Sequence, residues 1–365
     1  MRNEPAEQPM ADTALTRRRI NQCLAAALVA SAVPAPLWAS TPTRTARLPL
    51  VRPAALKRGD VVGVIAPSGF MVDDEIEAKT RGLEAAGFRV KLAANIRAAR
   101  GNTGGTIAER VADVHAMFVD RDVKAIWAGR GGSGASQLLP HLDYALIRRH
   151  AKILIGYSDI TALLVAINKL SGLVTFHGPV AFRSIADYSL WQIETMLMQP
   201  SDGTTIHMAH ANAKRAEAEP AYQLRTLIKG VADGVLVGGN LSVLAAMVGT
   251  RFQADMRGAI LFLEDVGEAP YRVDRMLTQL AQNQDMRQIA GAMLGVFRLR
   301  QNQVEEDKLT MDMALNDHFA NLGRPAVAGF SFGHIADQFT IPIGIRARLD
   351  TEAATLTLLE SAVRV

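Results

Sequence analysis

The chain has 365 residues, 49% of them hydrophobic and 21% charged, with a formal net charge of +4. This is ordinary globular composition, long enough for two domains that each bury a core. No dense basic run with interleaved aromatics follows the N-terminus, which argues against nucleic acid as a partner.

At the start of the chain, Thr16-Arg17-Arg18-Arg19-Ile20 precedes an apolar run over 23–33, then Pro34, Pro36 and Leu37-Trp38-Ala39-Ser40. A charged segment, a short apolar segment and small residues at Ala39 have the form of a signal peptide over 1–39. The paired arginines resemble a twin-arginine export signal, which implies a periplasmic protein with no stable membrane anchor after cleavage. The apolar run is short for a membrane span; an uncleaved anchor or a disordered basic tail is the alternative. Cys23 is the only cysteine and begins the apolar run, where a lipid-acceptor cysteine should follow it. The mature chain is therefore expected to lack a disulfide, a cysteine nucleophile and a thiolate metal site.

Residues 40–54 read as a linker. Residues 60–66 form a buried apolar run ending in the turn Pro67-Ser68-Gly69. Helical spacing over 74–86 stops at Gly87, a strand follows over 89–92, a helix over 107–118 and a strand over 123–128. Strands alternating with helices imply a parallel sheet covered on both faces. This N-terminal α/β domain is placed at 55–184. A helix is expected over 189–198, and polar 200–220 lies within a connector spanning 185–225. The C-terminal domain, 226–365, opens on 234–239, after which Asn240 caps a helix over 241–248. A strand over 259–263, a helix over 272–282 and strands over 292–297, 329–332, 340–345 and 354–359 complete it.

The segment 152–164, KILIGYSDITALL, carries the most information. An apolar strand ends at Gly156, and an apolar-periodic helix begins at Ile160, with Ser158 on the turn between them. A serine there points into the cleft at the strand's carboxyl end, where α/β proteins bind ligands. Backbone N–H groups at the helix start can face developing negative charge. The arrangement has the logic of a nucleophile elbow without its G-x-S-x-G spelling, because Ile160 stands where the second glycine would be. The competing reading is that Ser158 or Asp159 simply caps the helix.

Gly129-Arg130-Gly131-Gly132-Ser133-Gly134 follows a strand and satisfies G-x-G-x-x-G, with Asp159 at the end of the next strand. Three features weigh against a dinucleotide site. The glycines come late in the strand order, the acid is late, and it adjoins the serine. The other uses are a tight strand-to-helix turn, or a loop whose Gly131 and Gly132 bring N–H groups to a substrate carbonyl while Arg130 pairs with a carboxylate. In 259–265, AILFLED, a two-residue period ends in Glu264, placed to hold an imidazole; Glu268 and Asp274 are rivals. Of eight histidines, His334 after Gly333 has the most suggestive setting and His177 comes second. No metal-ligand spacing appears, so neither a metal nor a cofactor is expected.

These pieces resemble the LD-carboxypeptidase family of serine peptidases, which includes muramoyl-tetrapeptide carboxypeptidases. The matching stretches, spread over 55–359, are GDVVGVIAPSG (59–69), IWAGRGGSGASQLLPHLD (126–143), KILIGYSDITALL, HGP (177–179), GGNLSVLAAMVGT (238–250), ILFLEDVGEAPYRVDRML (260–277) and GHIADQFTIPIG (333–344). The resemblance implies a Ser–Glu–His triad of Ser158, Glu264 and His334, with an oxyanion hole from the Asp159 N–H and an N–H of the Gly131-Gly132 loop. It implies an N-terminal parallel α/β domain, a smaller β-rich C-terminal domain, a site between them and a homodimer. The expected reaction is release of terminal D-alanine from peptidoglycan tetrapeptides, with a muropeptide or stem peptide as partner. A microcin C immunity-type amide hydrolase of the same family and a non-catalytic muropeptide-binding protein are the alternatives. Two features depart from the family pattern: Ser133 stands where an aromatic residue is usual, and an export signal precedes a chain whose relatives include cytoplasmic enzymes.

Overall fold

A computed structural model describes residues 48–284, 286–299 and 308–365. The signal-peptide reading, the start of the linker and Cys23 fall outside these residues.

The apolar run that opens the first half becomes β1 (Val61–Ile65), followed by α1 (Asp73–Ala85), β2 (Arg89–Leu92), α2 (Ile107–Val119), β3 (Val123–Ala128), α3 (Tyr144–Arg149), β4 (Ile153–Gly156), α4 (Thr161–Ser171) and β5 (Thr175–His177). Local chemistry sets the boundaries. Asp73, Asp74 and Glu75 complement the dipole at the start of α1. Thr106 and Glu109 form a capping box on α2, and Gly172 ends α4 in the left-handed conformation. The glycine loop leads into a 3-10 helix over Ala135–His141, where Pro140 lacks the N–H an α-helix would need.

After β5 come α5 (Asp187–Met198), β6 (Thr205–Ile206), α6 (His210–Arg215), β7 (Arg225–Ile228), β8 (Val231–Asn240), α7 (Leu241–Ala246), β9 (Ala259–Val266), α8 (Pro270–Asn283), β10 (Gly291–Arg298), α9 (Met311–Phe319), β11 (Ala326–Gly333), β12 (Ile341–Ile343), β13 (Arg346–Asp350) and β14 (Thr355–Leu358). The fold is mixed α/β on two sheets, the first of six strands in the order β12-β5-β4-β3-β1-β2 and the second of eight in the order β6-β14-β13-β8-β9-β10-β11-β7. In the first sheet β1 to β5 run parallel and only β12 is antiparallel. In the second, β8 to β11 run parallel and the flanking strands antiparallel.

Apart from the edge strand β2 and the start of β8, the parallel strands are largely buried on both faces, as their apolar runs require. Trp127 on β3 is fully buried, and its indole N–H donates to the Pro179 carbonyl at 2.9 Å. Residues 200–220, read as polar connector, contain β6 and α6; β6 pairs with β14 at the edge of the second sheet. The strand expected over 340–345 forms as β12, but it joins the first sheet, where Ile341 pairs with His177.

Candidate active site

β1, β3 and β4 are neighbours, so their carboxyl-terminal turns lie side by side. The chain leaves β1 toward β2 on one side and returns as β3 on the other, which opens a crevice at that point. At the end of β4, a Cβ on Gly156 would lie 2.9 Å from the Ile160 side chain and 3.1 Å from Ala128, so only glycine permits this turn. Ser158 follows with φ of 63°, a left-handed conformation that non-glycine residues rarely adopt. The capping alternative does not hold: neither the short 3-10 turn over Ser158–Ile160 nor α4 has a side-chain cap.

The hydroxyl points instead at an imidazole from the other sheet. Ser158 Oγ lies 3.0 Å from His334 Nε2, and His334 Nδ1 lies 2.8 Å from Glu264 Oε2. Glu264 closes the apolar face of β9 and is fully buried. His334 follows directly on β11. A Cβ on Gly333 would sit 3.2 Å from the Glu264 carboxylate, so the glycine before the histidine lets the two side chains meet. The Tyr157 ring packs edge-on against His334 with centroids 4.8 Å apart, and Arg298 donates to the His334 carbonyl.

Asn240, at the end of β8, does more than cap α7. Its Oδ1 accepts from the Val243 N–H, while its Nδ2 donates to Glu264 Oε1 at 3.3 Å and its own N–H donates to Thr161 Oγ1 on α4. It thus joins the buried carboxylate to the helix that starts just after Ser158. The asparagine was legible as a cap from its place before an apolar run; the pairing with β9 was not. The rival acids face elsewhere: Glu268 pairs with Arg272 and Asp274 with His318.

The glycine loop passes close beside the serine. A Cβ on Gly131 would lie 2.9 Å from Ser158 Cβ and 3.1 Å from its Oγ. The Gly131 carbonyl accepts from the Gly69 N–H at 3.2 Å. Because N–H and C=O point oppositely across a trans peptide, the Gly132 N–H faces away from Gly69. Asp159 Oδ2 accepts from the Ser68 hydroxyl at 2.6 Å and from the Ala135 N–H at 2.8 Å. A carboxylate engaged in this way holds the loop and is not free for ribose hydroxyls, which disfavours the dinucleotide reading. Arg130 donates to the Phe70 carbonyl and lies 3.5 Å from Glu75. Glu75 also pairs with Lys79, whose ammonium donates to the Gly129 carbonyl; burial pushes the Lys79 pKa down.

His177, the second candidate histidine, is fully buried and neither ring nitrogen has a partner. Aromatic rings surround it, Phe262 at 5.4 Å, Tyr157 at 6.2 Å and Phe332 at 6.3 Å between centroids. Burial pushes its pKa down to about 4, so it packs as a neutral ring. Among the described residues, no group of three or more His, Cys, Asp or Glu side chains is placed to hold a metal ion.

Two family descriptions match the chain: the LD-carboxypeptidase N-terminal domain over residues 62–178 and the LD-carboxypeptidase C-terminal domain over residues 233–349. The chain belongs to the LD-carboxypeptidase family. It is 37% identical over 307 residues to a probable murein peptide carboxypeptidase of Bacillus subtilis, covering 84% of this chain and 94% of that one. It is 33% identical over 295 residues to the murein tetrapeptide carboxypeptidase of Pseudomonas aeruginosa, covering 79% and 92%. Among solved structures, the muramoyltetrapeptide carboxypeptidase from Oxalobacter formigenes superposes with a TM-score of 0.70 at 29% identity, covering 84% of this chain and all of the other (100%). An MccF-like protein from Bacillus anthracis superposes with a TM-score of 0.74 at 29% identity, covering 84% and 99%. The protein is a carboxypeptidase of this family.

Proposed function

We propose that this LD-carboxypeptidase family member works through Ser158, His334 and Glu264, and releases the terminal D-alanine of a murein tetrapeptide. The hydrogen-bonded chain from Ser158 Oγ through both ring nitrogens of His334 to the buried Glu264 carboxylate carries the reading. His334 Nε2 takes the hydroxyl proton as Oγ bonds to the scissile carbonyl carbon, and the carbonyl π electrons move onto oxygen. As that oxyanion collapses, the C–N bond breaks and the imidazolium returns the proton to the departing D-alanine amine. Water, deprotonated by His334, then opens the acyl ester, and Ser158 recovers its proton. Glu264 holds the imidazole with Nδ1–H toward itself and stabilises the cation between the steps.

The Asp159 N–H and the Gly132 N–H are assigned to the developing oxyanion. Pinning of the Gly131 carbonyl by Gly69 and the approach of Gly131 to Ser158 support that assignment. Arg130, at the rim of the same loop, is assigned to the substrate's terminal carboxylate. The relatives' names, murein peptide and murein tetrapeptide carboxypeptidase, support the stem-peptide substrate. Similarity to the microcin C7 self-immunity protein MccF of Escherichia coli, 26% identical over 277 residues, supports a second reading, an amide linked to a nucleotide. Export by the twin-arginine route and action in the periplasm as a homodimer complete the proposal; Arg17-Arg18 and the apolar run after them support the export step.

The test is incubation of the purified chain, with and without EDTA, with a tetrapeptide ending in D-alanine and with an aminoacyl-nucleotide amide, followed by mass spectrometry. Loss of one alanine that resists EDTA and disappears in Ser158→Ala is the expected result. Alanine release that persists in a folded Ser158→Ala variant would overturn the mechanism, and cleavage of the nucleotide amide alone would overturn the substrate.

A further inference from the structure

We propose that Arg110 is a positioning residue for the reaction at Ser158, acting through the glycine loop, whose Gly134–Ala135 peptide it and Asp159 hold from opposite sides. The inference rests on Ser158 being the nucleophile, but not on the identity of the substrate.

Arg110 lies on α2 and is only 2% exposed. Its Nη1 donates to the Gly134 carbonyl at 3.0 Å and to the Pro67 carbonyl at 2.9 Å, and its Nη2 to Gln137 Oε1 at 2.8 Å. Asp159 Oδ2 takes the complementary groups: the Ala135 N–H, at the other end of the Gly134–Ala135 peptide bond, and the hydroxyl of Ser68, the residue after Pro67. One cation and one anion therefore clamp the same two segments, 67–68 and 134–135. The Gly69 to Gly131 hydrogen bond then ties those segments to each other beside Ser158.

A guanidinium buried among neutral carbonyls needs a counter-charge: burial pushes the Arg110 pKa down, and the Asp159 carboxylate, bonded to the same two segments, opposes that shift. Gly134 is cut to fit: it has φ of +105°, and a Cβ there would lie 3.2 Å from Arg110 Nη1. Lysine cannot replace the fork, because a single ammonium on a flexible stem does not span two carbonyls and an amide in fixed directions. The clamp sets where the Gly131-Gly132 peptide stands relative to Ser158 Oγ. Its loss should therefore be felt when negative charge develops on the substrate, not when substrate binds.

The experiment compares the full chain with Arg110→Lys, Arg110→Met and Ser68→Ala. A fluorophosphonate reports the reactivity of Ser158 without requiring a known substrate, since phosphonylation develops the same kind of oxyanion. Both Arg110 variants should label about tenfold to 100-fold more slowly than wild type. Placed in a Ser158→Ala background, they should bind murein tetrapeptide within about threefold of the parent, a difference far below that loss. A purely structural role would weaken binding as well as labelling. Should the Arg110 variants fail to fold, Ser68→Ala, which removes one hydroxyl from the clamp, must still slow labelling. Labelling at the wild-type rate in the folded variants overturns the inference, as does equal loss of binding and labelling. A wild-type chain that labels at Ser158 but hydrolyses no tetrapeptide refutes the substrate reading and leaves Arg110 to be judged by the labelling ratio. A wild-type Ser158 that does not react overturns both.

Discussion

Glu264 is the residue whose chemistry the structure constrains most tightly, being wholly buried with one oxygen on His334 Nδ1 and the other on Asn240 Nδ2. Glu264→Gln keeps the shape but offers an amide N–H or a neutral oxygen to the imidazole, which favours the wrong tautomer and removes the charge facing the imidazolium. We expect kcat to fall on the order of 10³- to 10⁴-fold with little change in fold, read by steady-state kinetics and circular dichroism. His177 offers a different test. Its ring stays neutral in the fold down to about pH 4, whereas in the unfolded chain it takes a proton near 6.5. Above that pH both states are neutral and the residue contributes no pH dependence. As pH falls from 6.5 toward 4 only the unfolded state gains the proton, and about 3 kcal/mol of stability is lost. Denaturation in urea at pH 7 and pH 4.5 should show this loss, and His177→Phe, which suits the aromatic shell, should remove it. Sequence pattern ranked His334 above His177, because a glycine and a strand end mark a side chain leaving the sheet, and His334 is the one that meets Ser158 and Glu264. It could not show that the other histidine was dry, since its neighbours Phe262 and Phe332 come from distant strands.

Strand ends carry the site, and this was largely legible. Apolar runs stopping at Gly156, Asn240, Glu264 and Gly333 are all carboxyl ends of parallel strands. Which ends meet is a matter of sheet order, and sheet order is non-local. Helix Thr161–Ser171 and strand Val231–Asn240 touch where Gly239 faces Thr161, and a Cβ there would lie 2.5 Å from the threonine side chain at φ of +136°. Gly239→Ala should therefore push β8 off α4, lowering stability by about 1–3 kcal/mol. It should also lower activity by moving Asn240 and the carboxylate it holds. A matched fall in Tm and kcat is the expected outcome; unchanged values would show that the two elements are not rigidly coupled. The short strands β5 and β7 and the helix α9 escaped the sequence reading, since a three-residue strand such as Thr175–His177 has too few positions to display a period.

At the scale of the molecule, the described residues make one compact unit. β12 crosses from the second half of the chain to complete the first sheet. Val51 pairs with Leu173 and Ala54 with Arg364, so the last residues of the segment read as a linker and the C-terminal residues are also stitched to the body. A fragment of residues 48–230 would keep β1 to β5 and lose β12. We expect it to show no cooperative thermal transition, whereas the whole chain should melt once. A sharp transition in the fragment would show that the first half folds alone. The alternation of strands and helices announced the parallel sheet, but no local pattern in Ile341-Pro342-Ile343 says which sheet it will join.

That crossing strand also bears on how the protein is made. While the ribosome is still producing the second half, β5 presents an open edge of N–H and C=O groups with nothing to pair them. Unpaired edges of this kind invite association with other chains. The edge is covered only after residue 343 has emerged. Between the emergence of residue 177 and that of residue 343 the nascent chain therefore carries the finished strands β1 to β5 with an unguarded flank. A chaperone, or rapid completion of translation, is what that interval calls for.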